Sequence, residues 1–167
     1  IIGCSTLEKE IPLINAHAHN DYEHERPLFN ALENQFISVE VDVHLINDEL
    51  YVYHDTPIEI DSLKTLELLY LKPLLARINH NKGNVYLGYE GFFYLMIDIK
   101  TEAEPSYKKL KDILKHYESM VSMTVNGKEE IDKPIKLVIS GHQGRPYNQI
   151  LEEEPKMASI DGRLKEL

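Results

Sequence analysis

Eight residues constrain this chain more than any others. Across residues 38–45, Val39, Val41 and Val43 alternate with Ser38, Glu40, Asp42 and His44. A period of two is the signature of a β-strand, so one face is apolar and the other carries two carboxylates and an imidazole. A sheet built on such a strand needs helices to cover its valine face. The chain supplies them at the right intervals. Residues 11–17 read as an extended segment, and 27–36 as a helix with Pro27 in its first turn. A turn at 47–49 leads to a second extended run over 50–54. Residues 62–79 read as two short helices interrupted at Pro73, and 81–91 as a polar loop. A strand over 92–100, an amphipathic helix over 105–120, a strand over 136–140, a short helix over 147–153 and a strand over 157–160 complete the series. Such alternation predicts a parallel α/β domain, either a doubly wound sheet or a (β/α)8 barrel. No Gly-rich phosphate loop follows the first strand, which weighs against the nucleotide-binding option.

Charge and composition narrow the function classes. The chain has 167 residues, 18 basic against 28 acidic, for a net charge of −10. That balance argues against a dedicated nucleic-acid binder. One cysteine permits no intrachain disulfide framework, and no run reaches the roughly 18 apolar residues of a membrane span. The cysteine is placed suggestively. Ile1-Ile2-Gly3-Cys4-Ser5-Thr6 resembles a bacterial lipobox. The resemblance implies that residues 1–3 are a signal remnant, that Cys4 carries a lipid anchor and that residues through 10 form a polar tether. The expected location is then the bacterial cell envelope, with the membrane touched only through the anchor and a cytoplasmic origin as the alternative. Residues 11–167 would be the folded domain.

The chemistry-bearing residues cluster where strands end, which is where parallel α/β folds build sites. His17-Ala18-His19-Asn20-Asp21 closes the first strand, Glu40 and Asp42 lie in the second, His54-Asp55 closes the run after it, and Asp98-Ile99-Lys100 closes the third. Glu40 with Asp42, and Asp98 with Lys100, are two apart and project from one face of their strands. Three converging carboxylates repel unless a cation joins them, and an all-oxygen set suits Mg2+ or Ca2+ better than Zn2+. Lys100 offers a point charge for an anionic oxygen. Two histidines from different strand ends can exchange protons near neutral pH, and no nucleophilic Ser, Cys or Thr motif is present. The remaining histidines His24, His80 and His116 lack a supporting pattern and read as surface residues, while His44 shares the Glu40–Asp42 face.

Taken in order, these motifs resemble the phospholipase-C-like phosphodiesterases, a superfamily of TIM barrels that includes glycerophosphodiester phosphodiesterases and sphingomyelinase D. The His-Arg-Gly, Glu-x-Asp, His-Asp and acidic-x-Lys series of the former is matched by His17–Asn20, Glu40–Asp42, His54–Asp55 and Asp98–Lys100. Asp98-Ile99-Lys100-Thr101 is similar to the sphingomyelinase D form, as is Tyr53-His54-Asp55-Thr56-Pro57. The stretch from Ala16 to Asp55 is more similar still to a bacterial and fungal branch labelled phosphatidylinositol-specific phospholipase C/glycerophosphodiester phosphodiesterase, which includes relatives of altered inheritance of mitochondria protein 6. Ser140-Gly141, Arg145-Pro146 and Asp161-Gly162-Arg163-Leu164 fit that branch. The resemblance implies metal ligands Glu40, Asp42 and Asp98, a catalytic His54 with His17 or His19 as its partner, and Asn20 and Lys100 at the substrate. His17 with Asn20 fits the sphingomyelinase D spacing, and His19 followed by Asn20 fits a degraded His-Arg-Gly; either way the Arg that helps bind phosphate in the glycerophosphodiesterases is missing.

The implied protein is a metal-dependent hydrolase of a glycerophosphodiester or phospholipid headgroup. One alternative is a non-catalytic surface lipoprotein that binds a phosphorylated ligand. A carbohydrate or amide hydrolase on another barrel is a further alternative, since His-x-His opens many amidohydrolases, but those favour His-rich transition-metal sites. A whole barrel takes about 250 residues. Ile1 in place of Met, and a last strand ending near Asp161, suggest an incomplete N-terminal portion of a barrel with exposed apolar strand edges, poorly stable or inactive alone.

Overall fold

The computed structural model describes residues 9–131, 133–141 and 146–162. The elements are β1 (Leu13–Ala18), a 3-10 turn (Asp21–Glu23), α1 (Phe29–Glu33), β2 (Phe36–Ile46) and β3 (Glu49–Val52). A π-helical stretch (Glu67–Leu71) then runs into α2 (Lys72–His80), followed by β4 (Phe93–Ile99) and α3 (Ala103–Leu114). A hairpin of β5 (Met123–Val125) and β6 (Lys128–Ile131), then β7 (Ile135–Ser140), α4 (Tyr147–Glu152) and β8 (Ala158–Ile160), complete the fold.

The main sheet runs β1-β2-β4-β7-β8, all parallel, with β3 added antiparallel to β2. The five parallel strands follow chain order with no reversal, so the switch point of a doubly wound sheet does not occur among them. The expected barrel stands only in coarser form. The fold is mixed α/β with a mostly parallel sheet, compatible with a TIM-like arrangement, but the sheet of the described residues is not closed.

The valine face behaves as its alternation requires. Val39, Val41 and Val43, with Leu95, Ile97 and Ile99 of β4 and Ile135, Leu137 and Ile139 of β7, are each at most 2% exposed. Leu74, Ile78, Leu110 and Leu114 of the helices join the same core. Burying each such side chain contributes about 1.5–3 kcal/mol, which offsets the ordering entropy of the sheet.

Local departures from expectation have local causes. Residues 62–79 do not break at Pro73. Pro73 has no N–H to donate, and it sits in the first turn of α2, where the helix widens through the preceding π-helical stretch and continues. Helix α1 is shorter than 27–36, because Leu28, with positive φ (64°), precedes it and Gln35 (φ 61°) follows it. Helix α3 stops at Leu114, after which Tyr117, Met120 and Val121 turn into the core. The β5–β6 hairpin was not anticipated. Its Asn126-Gly127 corner takes positive φ at both residues (49° and 72°), the backbone that an Asn-Gly pair favours in a two-residue turn.

Glu10, assigned to a tether, is docked. Its carboxylate accepts from Arg77 at 2.9 Å and from the Leu87 N–H at 2.8 Å. Cys4, Arg145, Arg163 and Leu164 lie outside the described residues.

Candidate functional site

Strand pairing brings the distant motifs to one place. Val43 pairs with Ile99 of β4 on one side and with Val52 of β3 on the other. Strand β1 pairs with the earlier part of β2, up to Ala18 opposite Val39. The ends of β1 and β3 therefore meet along one edge of β2, beside Glu40 and Asp42, and deliver His19 and His54 there. On the other edge Asp98 lies in register with Asp42, and Ser140 in register with Asp98.

Glu40, Asp42 and Asp98 each place one carboxylate oxygen within 4.8 Å of the others. Asp42 is fully buried, and its two oxygens are used very differently. Oδ2 accepts from the Tyr22 hydroxyl at 2.8 Å, pairs with His54 Nδ1 at 2.9 Å and takes the Lys100 ammonium at 3.1 Å. Among the described residues Oδ1 has no partner, and neither has Oδ1 of Asp98, although both atoms are buried. Buried carboxylate oxygens without donors are costly. Two of them beside a third carboxylate are what a hard divalent cation fits, so the donor set suits Mg2+ or Ca2+.

Lys100 is the cation this chain itself provides, at 3.2 Å from Asp98 as well. Burial works against its charge, but Asp42 and Asp98 outweigh it and hold its pKa above the ordinary lysine value. Glu40 accepts the Asn20 backbone N–H at 2.9 Å and lies 3.4 Å from His19 Nε2. Asn20 reaches it from a left-handed conformation (φ 49°), which Asn tolerates better than most residues.

The histidines are tied differently. His17 Nδ1 lies 2.7 Å from Ser38 Oγ, and burial of its ring pulls its pKa below the usual value despite the opposing charge of Glu40. The His54 ring is fixed through Nδ1, so its Nε2 points elsewhere. His19 is mostly exposed, at 73% of its side chain. A cleft of about 670 Å3 opens beside this group, walled by Tyr22, Tyr53, His54, Leu63 and Leu69.

The structure thus brings Glu40, Asp42, Asp98, Lys100, His54, His19 and the Asn20 backbone together, and holds His17 one register step back on Ser38. Sequence reasoning missed Tyr22, and it marked Asp21 only as the end of the His17–Asp21 run, with no role for its buried carboxylate. It also passed over Ser38, on the same strand face as Glu40. Ser140 and Asp161, noted only as motif fragments, meet through a hydrogen bond of 3.3 Å at the neighbouring strand end.

The site is thus a cluster of carboxylates and histidines at the strand ends of an open, mostly parallel α/β sheet. Residues 5–158 match the AIM6-like phosphodiesterase domain, and the chain belongs to that family. It is 29% identical to an altered inheritance of mitochondria protein 6 homolog of Arthroderma benhamiae, over 92% of this chain and 54% of that protein. It is 32% identical to altered inheritance of mitochondria protein 6 of Kluyveromyces lactis, over 96% of this chain and 45% of that one. The corresponding Lachancea thermotolerans protein is 30% identical over 82% of this chain. The chain spans about half the length of the first two of these curated relatives. No solved structure matches it.

These relatives correct the location expected from Cys4. They are fungal proteins, which points to a eukaryotic protein and not to a bacterial cell-envelope lipoprotein.

Proposed function

We propose that this chain carries the core of a metal-dependent phosphodiester hydrolase, on the first strands of a (β/α)8 barrel. Its substrate would be a glycerophosphodiester or a phospholipid headgroup. The observation that carries the reading is the pair of buried, donor-less oxygens on Asp42 and Asp98 beside Glu40, with His54 fixed against Asp42. Glu40, Asp42 and Asp98 would hold Mg2+ or Ca2+. Such an ion supplies charge stabilisation to a phosphate in the transition state.

The chain's own residues supply the proton chemistry. Asp42 Oδ2 accepts the His54 Nδ1–H, which leaves Nε2 to give or take a proton. His17 is the proposed partner. Its lowered pKa favours the neutral ring, and with Nδ1–H donated to Ser38 Oγ its Nε2 would be the basic atom. His19 steadies Glu40 from the solvent side. Lys100 has three N–H donors and gives two of them to carboxylates, so one remains for a phosphate oxygen, and Asn20 is the second proposed substrate contact.

The test is turnover of a phosphodiester panel by the full-length protein, with and without chelator. The expected result is hydrolysis that chelation abolishes and that His54→Ala lowers by about 10²–10⁴-fold. No chelator-sensitive turnover, together with an indifferent His54→Ala variant, overturns the reading. Phosphate affinity without turnover would favour a binding protein, which the missing arginine of the His-Arg-Gly motif suggests as the second reading.

A further inference from the structure

Asp21 is an odd residue to bury. It is a carboxylate at 0% exposure, and its Oδ1 has no hydrogen-bond partner among the described residues. Its Oδ2 accepts the Leu28 N–H and, at 2.9 Å, the hydroxyl of the equally buried Tyr70. Burial raises the Asp21 pKa, and the two donors offset this only in part. A turn needing only closure has cheaper solutions. What the carboxylate fixes is the segment Asn20–Tyr22, whose flanking residues both reach the acidic cluster. Asn20 gives its N–H to Glu40, and Tyr22 gives its hydroxyl to Asp42 Oδ2 while lying 3.1 Å from His54 Nδ1.

Tyr22 matters for how Asp42 is used. A carboxylate can exchange its oxygens by rotation about its last bond. Three donors on Oδ2 and, among the described residues, none on Oδ1 remove that freedom. The half-buried Tyr22 hydroxyl is the donor best suited to the task. Burial and the neighbouring Asp42 push its pKa far above the tyrosine value, so it remains a neutral donor.

We propose that Tyr22 is a positioning residue, held by the buried Asp21–Tyr70 pair, whose hydroxyl locks the Asp42 carboxylate and the His54 ring in one arrangement and leaves Asp42 Oδ1 for a divalent cation. The cation part rests on the function proposed above, while the locking part does not.

Tyr22→Phe removes one oxygen and keeps the ring. Mn2+ alone serves as the probe, with binding followed by electron paramagnetic resonance on the full chain. Tyr22→Phe should weaken binding about tenfold, the equivalent of losing one hydrogen bond to a charged group. Tyr70→Phe should weaken it about threefold, through Tyr22. The double variant should be no weaker than Tyr22→Phe, because the two act in series. Far-UV circular dichroism and a cooperative melt establish that each variant folds. An unchanged Mn2+ affinity in Tyr22→Phe, or additive losses in the double variant, overturns the proposal.

The locking is also read without metal. 15N spectra of labelled histidine should show the His54 Nδ1–H form in the metal-free protein, altered by Tyr22→Phe. If the wild-type protein binds no Mn2+ but this signature changes, the hydrolase reading fails and the lock stands. If the signature is indifferent to Tyr22→Phe, the lock fails, whatever the activity.

Discussion

Replacing Lys100 by Met should make the stability of this protein depend on a divalent cation. Oxygens of Glu40, Asp42 and Asp98 approach within 4.8 Å. At an effective dielectric of about 20, each like-charge pair at that range costs about 3.5 kcal/mol, or about 10 kcal/mol for three. The Lys100 ammonium, 3.1 Å from Asp42 and 3.2 Å from Asp98, returns about 5 kcal/mol at each contact on the same scale. The two sums cancel, so in the metal-free chain Lys100 balances the cluster. Its loss cannot cost the full amount. A carboxyl can take up a proton, which near pH 7 caps the penalty at about 4 kcal/mol. Lys100 keeps 23% of its side chain in water, and screening reduces the effect further, to about 2 kcal/mol. Urea unfolding measures this, followed by far-UV circular dichroism because the chain has no tryptophan. In chelator, Lys100→Met should lose about 2 kcal/mol against the wild type, and excess Mg2+ should narrow or reverse the gap through binding linkage. A variant as stable as wild type in chelator, or a deficit that Mg2+ leaves untouched, would refute the reasoning.

Two further outcomes are expected. Gly141 has φ 144°, and an added Cβ would meet the Ile99 carbonyl oxygen at 2.5 Å, so Gly141→Ala should cost about 2–4 kcal/mol in urea or thermal unfolding. His17 has a lowered pKa, chiefly through burial, so the unfolded chain binds its proton more readily. Its contribution is complete above about pH 6.5 and is lost as pH falls toward the folded pKa, so His17→Gln should flatten that part of a stability-against-pH curve.

What could be read from the sequence followed from periodicity and strand-end chemistry. The Val39, Val41 and Val43 alternation set both the buried face of β2 and the opposite face that carries Glu40 and Asp42. Asp98 and Lys100 met those carboxylates because parallel register aligned them. Other features depend on packing that no local pattern records. Tyr22 sits in a short 3-10 turn with no period, its hydroxyl reaches Asp42, and the adjacent Asp21 is bonded to Tyr70, 49 residues away. Pro73 predicts a break by local rules, because the sequence does not show that the preceding turn can widen. The lipobox reading of Cys4 rested on a few residues and did not survive comparison with fungal relatives.

The β2–β3 hairpin gives the site a history as well as a shape. Asp42 and His54 are 12 residues apart, joined by antiparallel pairing around a tight corner at Asn47 and Asp48. Asp98 and Lys100 arrive only after the whole stretch containing α2 has been closed into a loop. By chain-closure entropy that longer loop costs about 1.4 kcal/mol more than the hairpin. The Asp42–His54 pair can therefore assemble as a local unit before the third carboxylate is in place, and loosening of β4 would take the site apart at Asp98 first.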